Sequence, residues 1–112
     1  ASFDIPGYVY RIDDLAQAQN EAKADGKPIV FLYSNEDTDC SLAAGASINI
    51  MRRFEQSAVI VYVCREDWTA IPLIVKHAIN SPEAGEFIPK TVVVDSDIKR
   101  VVSIIPYQRP GN

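Results

Sequence analysis

The 112 residues hold only two cysteines, Cys40 and Cys64, and a single histidine, His77. That is too little for a disulfide scaffold or for the ligand set of a structural zinc site. Basic clusters are also missing. The 11 Lys and Arg residues are scattered among 15 Asp and Glu for a net charge of −4, which excludes a phosphate-binding patch and makes nucleic acid an unexpected partner. No apolar run approaches the ~18 residues of a membrane-spanning helix, so no membrane span is expected. The opening "ASFDIPGY" has neither a basic n-region nor an apolar h-region. These residues therefore contain no targeting segment. The expectation is a soluble protein, cytoplasmic, or periplasmic or secreted if a leader has been removed; the sequence does not choose between these compartments.

What is present is an ordinary globular composition, 47% hydrophobic and 23% charged. A chain of this length forms one domain, residues 1–112, with a core that needs no covalent staple. "YVYRI" alternates as a short strand. In the following "DDLAQAQNEAKADGKP", Asp14 and Gln17 have capping-box spacing, Leu15, Ala18 and Ala22 share a helical face, and Gly26 with Pro28 ends the helix. "PIVFLYS" and "AVIVYVC" are continuous apolar, β-branched runs, the pattern of strands buried on both faces. Between them, Leu42, Ala46, Ile50 and Phe54 recur every four residues, which predicts a helix over "CSLAAGASINIMRRFEQ" with Thr38 or Asp39 as its N-cap and a weak point at Gly45. "WTAIPLIVKHAIN" predicts a third helix with Pro72 in its first turn. "TVVVD" and "RVVSII" around "SDIK" predict a hairpin. The order β-α-β-α-β-α-β-β is that of an α/β domain with a mixed sheet, parallel first and antiparallel at its end. Ligands of such sheets gather beyond the carboxyl ends of the central strands, where "NEDTDC" (residues 35–40) lies.

This element order, the phrase "AKADGKPIVFLYS", the cysteine at the next helix start and "FIPKTVVVD" together resemble the thioredoxin-like superfamily over roughly residues 8–105. The resemblance implies a three-layer fold with a mixed central sheet, helices on both faces and a cis-proline facing the active loop. Aligned from the strand onward, it puts Asp37 at the nucleophilic cysteine, Cys40 at the resolving cysteine and Glu36 at the tryptophan. Phe31 then stands where many members bury a carboxylate, Gly45 at the kinking proline, Pro89 at the cis-proline and Lys90 at a usual threonine. The motif is thus D-x-x-C in place of C-x-x-C. A carboxylate cannot attack a disulfide and be regenerated, so dithiol exchange through residues 37 and 40 is excluded. Family members close with a helix over one sheet face, whereas Pro106 and Pro110 forbid a long one here. Either the sequence stops short of that helix, or the tail or a second subunit covers the face, and a bare face favours a homodimer.

The resemblance implies a binding or structural module without cofactor, taking a protein or peptide partner on a surface made by Asp37, Thr38, Asp39, Ile88 and Pro89. The alternative is a monothiol redox protein acting through Cys40, with Cys64 as second thiol. A shielded, structural Cys40 and a core Cys64 are the plainer expectations; a Cys40 to Cys64 disulfide is the sharper one. Glu36, Asp37 and Asp39 supply the oxygen ligands that calcium prefers, but without the glycine and distal glutamate of an EF-hand loop. They read better as anions serving a helix N-terminus. His77 is expected on the third helix beside its apolar face, as a boundary residue and not a catalyst, and Tyr62 and Trp68 in packing roles.

Overall fold

The computed structural model describes residues 1–109. Its strands are β1 (Tyr10–Arg11), β2 (Ile29–Tyr33), β3 (Val59–Val63), β4 (Lys90–Val94) and β5 (Val101–Ile105), and its α-helices are α1 (Leu15–Asp25), α2 (Ser41–Phe54) and α3 (Leu73–Ile79). They form one mixed sheet of five strands in the order β1-β3-β2-β4-β5. β3 runs parallel to both β1 and β2, while β4 is antiparallel to β2 and β5 to β4. The architecture is therefore α/β, with helices on both faces of the sheet, as in a thioredoxin-like three-layer arrangement.

Side-chain alternation along the strands builds the two cores. Ile29, Phe31, Val59, Val61 and Val63 point to one face and pack on Ala18 and Ala22 of α1 and Val75, Ala78 and Ile79 of α3. Val30, Leu32, Ile60 and Tyr62 point to the other and meet Ala44 and Met51 of α2 together with Phe3 and Val9 of the N-terminal segment. Strands lined on both faces can be apolar throughout, which is why "IVF" and "VIV" carry no polar alternation.

Several local expectations are corrected. The first strand shrinks to Tyr10–Arg11 because Ile12–Asp14 turns into a 3-10 helix that runs into α1. Asp14 occupies the N-cap of α1 without a side-chain cap bond, so the capping box with Gln17 does not form. The C-terminus follows the expected punctuation: Gly26 is left-handed at φ 65°, and its N–H reaches the Ala22 and Lys23 carbonyls. Trp68 belongs to a 3-10 helix over Arg65–Ala70, and α3 begins only after Pro72, its N-cap. His77 is exposed in the last turn of α3.

The largest correction concerns α2. Its buried face is Ala43, Ala44, Ser47 and Met51, whereas Leu42 is exposed and Ala46, Ile50 and Phe54 are half-buried. Leu42, Ala46 and Ile50 edge a groove, while Ile48, Ile50 and Phe54 pack at the margin of the core that Met51 enters. Buried Ser47 is accommodated because its hydroxyl donates to the Ala43 carbonyl at 2.8 Å and shares a 2.7 Å hydrogen bond with Ser34. Gly45 leaves the helix continuous.

After β5 the described residues contain no further helix. Pro106, Tyr107 and Gln108 instead turn along α2 and form one wall of that groove with Pro89 and Thr91. Pro110 lies outside the described residues. Gly85 shows how closely this tail sits: its backbone is at φ 74° and ψ −171°, and a Cβ there would stand 3.3 Å from the Pro106 Cβ. Only glycine meets both conditions without strain.

Candidate functional site

β2 delivers the chain to the sheet edge at Tyr33, and Ser34 extends the ladder with a 3.1 Å bond to the Val63 carbonyl. The next residues form two small turns in succession. Asn35 Oδ1 accepts from the Asp37 N–H at 3.0 Å, the Thr38 N–H donates to the Asn35 carbonyl at 3.1 Å, and Thr38 Oγ1 accepts from the Cys40 N–H at 3.1 Å. Asn and Thr favour such turns because their side chains bond the backbone two residues on. The cap of α2 therefore differs from the expectation. Cys40 itself is the N-cap, and neither Thr38, Asp37 nor Asp39 makes a side-chain bond into the first turn.

Glu36 anchors the loop from below. Its carboxylate takes a two-pronged bond from Arg11 at 3.1 and 2.9 Å, its N–H donates to the Tyr62 hydroxyl at 2.9 Å, and its carbonyl accepts from the Phe3 N–H at 3.0 Å. Arg11 in turn lies 5.6 Å from the centroid of the Tyr62 ring, an added cation–π contact. Burial pushes the Tyr62 phenol well above its ordinary value, so the hydroxyl stays protonated and within 3.5 Å of the Ser34 carbonyl. Neither Arg11 nor Tyr62 was singled out in the sequence as part of this loop. They lie 25 and 26 residues from Glu36, and no local pattern announces such pairings. The same geometry separates the carboxylates: Glu36 is turned to Arg11, while Asp37 and Asp39 face solvent. Among the described residues no three His, Cys, Asp or Glu side chains converge as a metal site would require.

Cys40 is exposed rather than shielded, which corrects the plainer expectation for it. It opens onto a recess of about 310 Å³ with Thr38, Leu42 and Ala43 on one side and Phe87, Ile88 and Tyr107 on the other. Ile88–Pro89 is cis, as the resemblance implied. The cis bond, buried Pro89 and the Gly85 turn hold Ile88 against the start of α2. Leu42 is 51% and Phe87 67% exposed, so two large apolar side chains flank the recess with nothing over them among the described residues. Lys90 does not face this surface as a free cation; its ammonium donates to the Ile79 carbonyl at 3.2 Å and so finishes α3.

Cys64 belongs to a different setting. Both thiols are free, so no Cys40 to Cys64 disulfide is present, and Cys64 does not line the recess at Cys40. Half-buried, it caps the 3-10 helix, its N–H reaching Asp67 Oδ2 at 3.0 Å and its Sγ–H donating to the same oxygen at 3.3 Å. Burial, followed by the hydrogen bond to Asp67, pushes this thiol up to about 11. It is a proton donor to a carboxylate, poorly suited to act as a nucleophile near neutrality. Tyr33 and Trp68 meet edge to face at 5.9 Å on the opposite side of the sheet edge, a packing role for both.

The chain's surface chemistry is thus a rigid acidic turn, one exposed thiol and an apolar recess beside a cis-proline. No protein-family model matches the sequence, and no curated protein matches it.

Proposed function

We propose that this is a thioredoxin-like domain without the redox dithiol, serving as a binding module for extended protein or peptide segments. The observation that carries the proposal is the pair of exposed apolar walls, Leu42 and Phe87, on either side of the recess between the α2 start and the Ile88–Pro89 loop. Exposed large apolar side chains grouped around a concavity mark interaction sites. Asp37, Thr38 and Asp39 form the polar rim, and the backbone of Ile88 offers an extended segment a partner of its own kind. The test is an array of extended peptides probed with the wild type and with Phe87→Asp. Selective capture of apolar-centred peptides, lost in the variant, is expected; equal capture by both proteins would refute the proposal.

The exposure of Cys40 favours a second reading, a monothiol. In that case the Cys40 thiolate attacks a disulfide such as oxidised glutathione, forms a mixed disulfide and releases the other thiolate, which takes up a proton. Cys64, held by Asp67 outside the recess, is poorly placed to resolve the adduct. Intact-mass analysis after incubation with oxidised glutathione tests it: one adduct on Cys40, reversed by a reductant, supports the reading, and an unmodified chain removes it.

A homodimer is best supported at β5. This edge strand presents Val101 and Val102, with no lysine, proline or carboxylate within Val101–Ile105 to blunt pairing. Sedimentation velocity of the wild type against Val102→Lys separates the cases, since a concentration-dependent dimer abolished by the lysine is expected and a wild-type monomer at high concentration would refute it.

A further inference from the structure

We infer that the recess where β2 and β4 meet the end of α3 and the Arg65–Ala70 3-10 helix binds a small aromatic carboxylate, its ring against Tyr33 and Trp68 and its charge at Arg65 and Lys90. The recess has a volume of about 420 Å³ and is lined by these four residues with Ile79 and Asn80. It shares no lining residue with the recess at Cys40. The inference therefore stands apart from the peptide-binding reading.

Strand register and two contacts fix how these side chains stand to one another. Tyr33 and Lys90 are direct partners on antiparallel β2 and β4, so they leave the same face of the sheet with Cβ atoms about 5 Å apart. Trp68 meets Tyr33 edge to face with ring centroids 5.9 Å apart, and both rings are only half-buried. Lys90 is held at the end of α3, where its ammonium donates to the Ile79 carbonyl at 3.2 Å. An ammonium has three donors, so two remain for a ligand. Arg65 stands close to Tyr33: burial raises the Tyr33 phenol, the Arg65 charge pulls it back, and Cys64 and Glu66 add smaller upward pushes. The phenol is thus protonated near neutrality and can donate as well. Neither Arg65 nor Lys90 is in an ion pair among the described residues. No Asp or Glu lines the recess, although acidic residues outnumber basic ones in the chain; Glu66 is exposed and outside the lining. Two unpaired cations call for an anion, and a guanidinium takes a carboxylate through two parallel N–H bonds. Tyr33, Trp68 and buried Ile79 form the apolar part of the wall, which an aromatic ring covers by offset or edge-to-face contact. The net charge of −4 repels a polyanion more than a monoanion, which favours a single carboxylate.

Trp68 is the only tryptophan of the chain, so its fluorescence reports on this recess alone. The probes are 3-phenylpropionate, its neutral amide 3-phenylpropanamide, and 3-cyclohexylpropionate, which keeps the charge and loses the aromatic ring. A saturable change is expected with 3-phenylpropionate, at least about tenfold weaker for the amide and about two- to tenfold weaker for the cyclohexyl acid. In NMR of the labelled full chain, the Trp68 indole N–H and the Asn80 amide should shift along the same titration. Arg65→Gln should weaken both acids and leave the amide unchanged, at an unaltered unfolding midpoint, because Arg65 is exposed and unpaired among the described residues. Such matched losses isolate the charge contact. Phe87→Asp, in the other recess, should leave the titration as it is. No saturable change, equal affinity for 3-phenylpropionate and either of the other probes, wild-type affinity for both acids in Arg65→Gln, or binding lost in Phe87→Asp would each overturn the inference.

Discussion

Replacing Tyr62 by Phe removes one oxygen from a fully buried ring and tests whether the 35–40 loop is held by the sheet beneath it. The ring is 1% exposed, and its packing, including the edge-to-face contact with Phe3 at 6.4 Å, survives the substitution. What is lost is the acceptor for the Glu36 N–H at 2.9 Å and the weaker bond to the Ser34 carbonyl at 3.5 Å. One hydrogen bond is worth about 0.5–1.5 kcal/mol, and an N–H left without a partner raises the loss toward about 1–3 kcal/mol. Because the Glu36 N–H is only part-buried, water can recover some of it, and a loss of about 1–2 kcal/mol is expected. For a domain of this size that lowers Tm by roughly 4–8 °C per kcal/mol. Urea unfolding should show the lower midpoint at unchanged slope, and hydrogen exchange should show faster loss at Glu36, Asp37 and Thr38 with the β3 core protected. An unchanged midpoint, or exchange that accelerates evenly across the sheet, would refute the anchoring role.

Two glycines should respond in opposite directions. Gly85→Ala meets a backbone conformation reserved for glycine and the Pro106 Cβ at 3.3 Å, and should cost about 1–3 kcal/mol in urea unfolding. Gly45→Ala, inside α2 with nothing within 4 Å of the new Cβ, should gain about 0.5–1 kcal/mol. A stability curve against pH tests Cys64. Its thiol is raised in the folded state from 9.0 to about 11, so the stabilisation it brings is complete below about 9 and is lost as pH rises through about 11. Cys64→Ala should flatten that alkaline limb, and an equally steep limb in the variant would contradict the assignment.

The parts of the fold that could be read from sequence are those where burial is two-sided or punctuation is explicit. The runs "IVF" and "VIV" need apolar residues at every position in the middle of the sheet, and Gly26 with Pro28 marks an end that the backbone obeys. The order of elements followed from these, and with it a mixed sheet that is parallel first and antiparallel at its end; the strand order β1-β3-β2-β4-β5 did not. α2 misled because the four-residue recurrence picked out Leu42, Ala46, Ile50 and Phe54, whereas the fully buried stripe is the neighbouring Ala43, Ala44, Ser47 and Met51. Leu42, Ala46 and Ile50 keep a helical period for a different reason: they face the groove beside β4, across from the tail. At the candidate site, Asp37, Thr38, Asp39, Cys40, Ile88 and Pro89 were singled out through the resemblance, which aligns a strand end, a helix start and a proline. Arg11, Tyr62, Leu42 and Phe87 were missed as site residues. The first two act through contacts across the sheet edge, and the last two matter through exposure, which depends on what the rest of the chain leaves uncovered.

The proposed surface would bind through its apolar side chains and not through the thiol, and one comparison separates these most directly. Affinity for a captured apolar-centred peptide is measured for the wild type, Cys40→Ser and Phe87→Asp under reducing conditions. Cys40→Ser should bind within about twofold of wild type, because serine keeps the N-cap and the recess walls, whereas Phe87→Asp should lose at least about tenfold, as the loss of a buried anchor does. Binding lost in Cys40→Ser and kept in Phe87→Asp would contradict it.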